Sequence, residues 1–136
     1  ENAKRKDQGL AKLPKKIIAF DLDDVLCSRP SGSEQFGVDK YLLCKPNEEM
    51  IKILNDCYDR GHRVVIYTAR GMTHFAGSVP DIYSNLYNLT TGQLNLWGVK
   101  YHQLVMGKLH YDLLIDDKAV FSEEIQDLEN IELRLK

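Results

Sequence analysis

Short apolar runs alternate with helix-like segments along this chain, and that alternation limits its fold more than any other feature. KIIAFDL (16–22), HRVVIYT (62–68) and DLLIDD (112–117) have strand length and enough apolar character for burial on both faces. YHQLVM (101–106) is a shorter strand. NEEMIKILNDCYDRG (47–61) has helical character. Asn47 is its candidate N-cap, Glu48 and Glu49 suit the positive end of the dipole, and Gly61 closes it. IYSNLYNLTTGQLNLWG (82–98) carries Ile82, Leu86, Leu89 and Leu94 on one stripe and stops at Gly98. SEEIQDLE (122–129) reads as a helical turn or two, and IELRL (131–135) alternates as an edge strand does. Strands alternating with helices predict an α/β fold, a Rossmann-like three-layer sandwich with a mainly parallel sheet and helices on both faces.

At 136 residues the chain has the length of one domain, expected over 17–136, after a flexible basic lead-in or linker over 1–16 with six Lys/Arg. It starts on Glu1, so a piece of a longer chain or a processed form is expected. A net charge of -2 gives no electrostatic case for nucleic acid or membrane as partner. No run approaches the ~18 apolar residues of a membrane span. The N-terminus lacks an apolar signal core. Three cysteines, Cys27, Cys44 and Cys57, form no zinc-like pairing and fit reduced thiols in a cytoplasmic protein. Cys27 beside the acidic cluster reads as a small loop residue rather than a nucleophile.

In a parallel sheet, ligands bind outside the carboxyl ends of the strands. Those ends carry Asp21 and Asp23, then Thr68 and Arg70, then Asp116 and Asp117, with Lys108 just before the last run. So much like charge requires a positive partner. A covalent aspartyl phosphate fits this set, because a carboxylate is nucleophilic at neutral pH without an activating base. A divalent cation with hard oxygen ligands, Mg²⁺, would bring carboxylate and phosphate together, with Asp116 and Asp117 completing its shell. Lys108 neutralises further charge, and the Thr68 hydroxyl can hold phosphoryl oxygens. A carboxyl among anionic neighbours can serve as acid and then base, and Asp23 is the candidate.

These residues resemble the haloacid dehalogenase-like hydrolases. FDLDDVL matches the first motif of that superfamily and VIYTAR the second. Lys108 stands at the third, LLIDDKA matches the fourth, and together they cover roughly residues 16 to 121. The resemblance implies Asp21 as nucleophile and metal ligand, and Asp23 as acid/base that also lends its carbonyl to Mg²⁺. Thr68 and Lys108 serve catalysis and phosphate binding, and Asp116 and Asp117 the metal; which of the two binds directly is open, with Asp117 favoured. Asp24 stands where glycine is commoner and is read as a helper or capping group. DKYLLCKPNEEMI, YTARGM and MGKLHYDLLIDDKA look most like small phosphatases of bacterial capsule and surface-sugar biosynthesis. That implies a phosphorylated sugar or polyol as substrate. A homo-oligomer, or a fused or partner sugar-nucleotide enzyme, is compatible with it.

Only 23 residues (24–46) separate Asp23 from Asn47, and 39 (69–107) separate Thr68 from Lys108. Neither interval holds a separate cap domain. Specificity would then rest on loops, with Arg70 a candidate substrate ligand. Arg29, Lys40, Lys45, His74, His102 and His110 are each more readily solvated surface. A receiver domain would need a different motif order, a haloacid dehalogenase no second Asp, and a phosphomutase a cap. A non-catalytic domain serving binding or scaffolding beside a sugar-nucleotide enzyme is the alternative from another class.

Overall fold

Helix formation here follows from caps and one apolar face. The computed structural model describes residues 15–135, so most of the expected lead-in lies outside the described residues. Helix α1 (Glu48–Arg60) starts where Asn47 Oδ1 accepts from the Met50 N–H at 3.2 Å. It ends at Gly61, whose φ of 101° suits a residue without a Cβ. Met50, Ile51, Ile53, Leu54 and Cys57 form its buried stripe, each apolar side chain contributing about 1.5–3 kcal/mol on burial. Helix α2 (Val79–Leu96) begins three residues before the expected Ile82, because Pro80 is tolerated in a first turn. Ile82, Leu86 and Leu94 are buried as expected, with Thr90 buried between them.

The fold is mixed α/β around a three-stranded parallel sheet. Strands β1 (Ile17–Phe20), β4 (Arg63–Thr68) and β5 (Gln103–Met106) lie in the order β1-β4-β5. Ile17 is in register with Arg63 and Val65 with Gln103. A two-stranded antiparallel ribbon, β2 (Cys27–Ser28) and β3 (Lys45–Pro46), brackets a run of 3₁₀ turns over Ser33–Leu43. These turns form a flap within the 24–46 interval. Asn47 ties its base down, donating N–H to Leu26 O at 2.8 Å and Nδ2–H to Val25 O at 3.1 Å.

Three expectations are corrected. Both crossovers, β1 to β4 through α1 and β4 to β5 through α2, step the same way across the sheet. The right-handed rule then puts both helices on one face. Burial agrees: Phe20, Val64, Ile66, Thr68, Leu104 and Met106 are buried, while Ile17, Ala19, Arg63, Tyr67 and Gln103 on the other face are exposed. One chain therefore forms two layers, not three, among the described residues. The run 112–117 is not a strand, and every residue from 109 to 121 is exposed. The end of the chain is helix α3 (Leu128–Arg134), not an edge strand. Asp127 Oδ1 caps it from the Asn130 N–H at 2.9 Å, and Ile131 is buried while Leu133 is not. The alternation of IELRL was equally a four-residue helical spacing.

Glu132 anchors α3 to the body. It receives Arg60 Nη1 at 2.7 and 3.0 Å and meets His62 Nε2 at 3.1 Å. His62 Nδ1 accepts from the Lys16 N–H at 3.1 Å, so the ring proton lies on Nε2, facing Glu132. No helix among the described residues is long and apolar enough to cross a membrane.

Candidate active site

Asp21, Thr68 and Lys108 meet at the carboxyl ends of β1, β4 and β5. Lys108 Nζ lies 3.3 Å from Asp21 Oδ2, while Asp21 Oδ1 accepts from the Leu22 N–H at 2.8 Å. The Lys108 backbone N–H donates to the Thr68 carbonyl at 3.1 Å, so the end of β4 fixes where the lysine starts. Its ammonium stands 5.7 Å from the Tyr67 ring centre and 5.5 Å from that of Tyr111, a cation–π setting. Thr68 is buried and its Oγ1 accepts from the Arg70 N–H at 3.1 Å. That hydroxyl keeps its own proton to donate. Asp21 is partly exposed, so an oxygen of its carboxylate can be reached from solvent.

Asp23 answers the charge problem of the sequence in another way. Arg70 grips it at two points, Nε to Oδ2 at 3.0 Å and Nη2 to Oδ1 at 3.1 Å. The rest of the guanidinium is also engaged: Nη1 donates to Gln93 Oε1 at 2.7 Å and to Thr90 Oγ1 at 3.2 Å, and the Tyr41 ring centre lies 4.8 Å away. The Arg70 side chain is 0% exposed. Burial acts to lower its pKa, but the hydrogen bonds and charge of Asp23 outweigh that and the net direction is upward. The expectation that Arg70 binds substrate is therefore corrected. It is a buried organiser that ties the first strand end to the flap and α2.

Cys27 and Cys44 flank the same carboxylate, with Sγ atoms 3.5 and 3.6 Å from Asp23 Oδ1. Cys27 is pushed up by its hydrogen bond to Cys44, by burial and by Asp23. Cys44 is held below the usual thiol range by the Cys27 hydrogen bond and by Arg70, whose Nη2 sits 3.4 Å from its sulfur. Asp23, Cys27 and Cys44 are the one cluster of metal-ligand type among the described residues. A guanidinium fills its remaining side, and thiols are poor partners for Mg²⁺.

Asp116 and Asp117 stand apart from this centre. Both are exposed, and Asp116 Oδ1 accepts from the N–H of Asp117 at 2.6 Å and of Lys118 at 3.1 Å. Those N–H groups, Lys118 first, lower the pKa of Asp116. The metal set Asp21, Asp23, Asp116 and Asp117 is not assembled within one chain, because the segment that carries the pair is not in the sheet.

Several residues that organise the site had no distinguishing mark in the sequence. The Tyr41 hydroxyl accepts from the Gly71 N–H at 2.9 Å, and Gln93 Nε2 donates to the Tyr41 carbonyl at 2.6 Å. Burial raises the pKa of Tyr41. Arg29 lies 5.6 Å from the Tyr41 ring centre, and its Nη1 is buried without a hydrogen-bond partner. His102 is structural: it stacks on Tyr58 at 4.6 Å and its Nδ1 accepts from the Val64 N–H at 3.0 Å.

No protein-family profile matches the chain, and no curated protein does. A solved structure of a structural-genomics target from Vibrio cholerae matches it with a TM-score of 0.72 at 29% identity. The match covers 89% of this chain and 96% of that one.

Proposed function

We propose that this chain is a phosphomonoesterase of the haloacid dehalogenase-like type, Mg²⁺-dependent and acting through a phosphoryl group on Asp21. The proposed substrate is a phosphorylated sugar or polyol, of the kind used in surface polysaccharide biosynthesis. The contact between Asp21 and Lys108 at adjoining strand ends, with Thr68 beside them, is the observation that carries this reading.

The steps follow from the donors present. A carboxylate oxygen of Asp21 attacks phosphorus, the P–O bond to the sugar or polyol breaks, and the departing alkoxide takes a proton. Water then attacks the phosphorus of the acyl phosphate, gives a proton to the group that had protonated the alkoxide, and releases inorganic phosphate, returning the Asp21 carboxylate. Lys108 offsets the charge of the incoming phosphoryl oxygens, and the Thr68 O–H donates to one of them. For Asp23 to deliver the proton, its side chain must rotate away from Arg70. The carboxylates of one chain do not complete a shell for Mg²⁺, since Asp23 is taken up by Arg70 and the Asp116/Asp117 pair lies on an exposed segment.

That same grip on Asp23 favours a second reading, a non-catalytic domain whose acidic strand ends serve structure. Inorganic phosphate release from a panel of sugar, polyol, nucleotide and small-acid phosphates separates the two. The phosphatase reading expects turnover with Mg²⁺ that is lost with EDTA and in Asp21→Asn. Folded protein releasing no phosphate from any member favours the binding domain.

A further inference from the structure

Among the described residues, an exposed stretch rich in large apolar side chains, 109–121, contains the run 112–117 whose sequence reads as a strand. Leu113 is 75% exposed, Ile115 90% and Phe121 77%. Both ends of this arm are fixed to the body, by Lys108 on Thr68 and by Ile125, which is buried in the core. It is an exposed loop carrying a strand sequence.

The sheet has a matching vacancy at β1. Arg63 N–H donates to the Lys16 carbonyl at 2.9 Å, so Lys16, Ile18 and Phe20 direct their backbone groups to β4. Alternation then turns the N–H and C=O of Ile17 and Ala19 to the other edge. β1 has β4 as its neighbour and no second one among the described strands. Ile17, on that edge, is 72% exposed. A bare apolar edge of this kind is a template for another strand.

The arm cannot fill its own edge. Five residues, 107–111, separate Met106 from the run 112–117. A parallel crossover takes about a dozen or more, and this one would have to pass two strands. The edge of a second copy carries no such length limit. Because arm and edge belong to the same chain, a two-fold pair satisfies both at once.

We propose that two copies exchange these arms, the run 112–117 of each adding as a parallel strand to β1 of the other. With Leu113–Asp116 alongside Ile17–Phe20, Asp117 falls beside Asp21 of the other copy at the strand spacing of about 4.8 Å. Each active site is then composite. Asp21, Thr68 and Lys108 come from one chain and the Asp116/Asp117 pair from its partner, which supplies the oxygen ligands that a single chain lacks. The catalytic half of this inference rests on the phosphatase reading; the assembly half does not.

Mass in solution by light scattering tests the assembly. The wild-type chain is expected at twice its monomer mass. Ile115→Asp changes an exposed arm residue, and Ala19→Pro removes an edge-facing N–H at a position where a strand tolerates proline. Both are expected at monomer mass with unchanged far-UV circular dichroism. A monomeric wild type, or a folded Ala19→Pro that stays dimeric, overturns the exchange.

Complementation tests the shared site. Asp21→Asn and Asp116→Asn/Asp117→Asn chains carry different tags and are purified together as heterodimers. They are expected to recover about half the wild-type phosphate release, one complete site of two, while each homodimer is inactive. Active homodimers, or no recovery in the heterodimer while wild type turns over, overturn the composite site. A dimer lost in both arm and edge variants but releasing no phosphate even as wild type keeps the exchange and removes the phosphatase reading.

Discussion

Arg70→Ala should be among the most destabilising single changes in this protein. It deletes a guanidinium that is 0% exposed and leaves the partly buried Asp23 carboxylate without its two-point partner. Breaking a buried ion pair from one side costs about 3–5 kcal/mol. The orphaned Gln93 and Thr90 acceptors place the value in the upper part of that range. With a urea slope near 2 kcal/mol per molar, the unfolding midpoint should fall by roughly 2 M. Much of a typical domain stability of about 5–15 kcal/mol would be gone. Trp97, the single tryptophan, reports the transition by fluorescence, with circular dichroism as the second probe. Arg70→Lys keeps the charge without the fork and should lose about half as much. In an Asp23→Asn background Arg70→Ala should cost at least ~1 kcal/mol less than alone. A midpoint within about 0.3 M of wild type, or full additivity with Asp23→Asn, would refute the view that the pair organises the site.

Other perturbations are as specific. A Cβ at Gly71 would stand 2.6 Å from Leu86 Cδ1 on a backbone with φ of 78°, so Gly71→Ala should cost about 2–4 kcal/mol in a urea titration. Glu132→Ala removes the partner of Arg60 and His62 and should cost about 1–3 kcal/mol, with faster amide exchange in α3 than in α1. Burial pushes the Cys57 thiol from its ordinary 9.0 up to about 12. It should resist thiol reagents at pH 8 in the native protein and react once urea unfolds the chain. Because its folded value lies above its unfolded one, its contribution to stability is complete below pH 9 and is lost as pH rises towards 12. The midpoint of wild type should therefore fall more between pH 8 and pH 10.5 than that of Cys57→Ala.

Local signals carried most of the fold. The Asn47 cap, the stripe of α1 and the stop at Gly61 are all short-range features, and each formed as its residues require. The apolar runs ending at Phe20, Thr68 and Met106 became adjacent parallel strands because helices of ordinary length join them. The run 112–117 carries a comparable apolar stretch, Leu113–Ile115, yet a strand needs an edge within reach, and the five-residue link denies it one. Its composition therefore gave a local preference without the tertiary partner that would satisfy it. At the site, Asp21, Thr68 and Lys108 were legible because strand ends put side chains in known places. The partner of Asp23 was not. Arg70 could have pointed outward as readily as inward, and its burial depends on Tyr41, Thr90 and Gln93, contributed by the flap and α2, which no local pattern links to it.

The most direct test of the proposed chemistry is to trap the covalent intermediate. The protein would be mixed with a turned-over phosphate ester and Mg²⁺, quenched in acid within the first turnover, reduced with borohydride and mapped by mass spectrometry. An acyl phosphate is reduced to the alcohol, so homoserine should appear at position 21 and nowhere else. Phosphate release with Asp21 left unmodified, or the label on another residue, would contradict a phosphoryl-Asp21 mechanism.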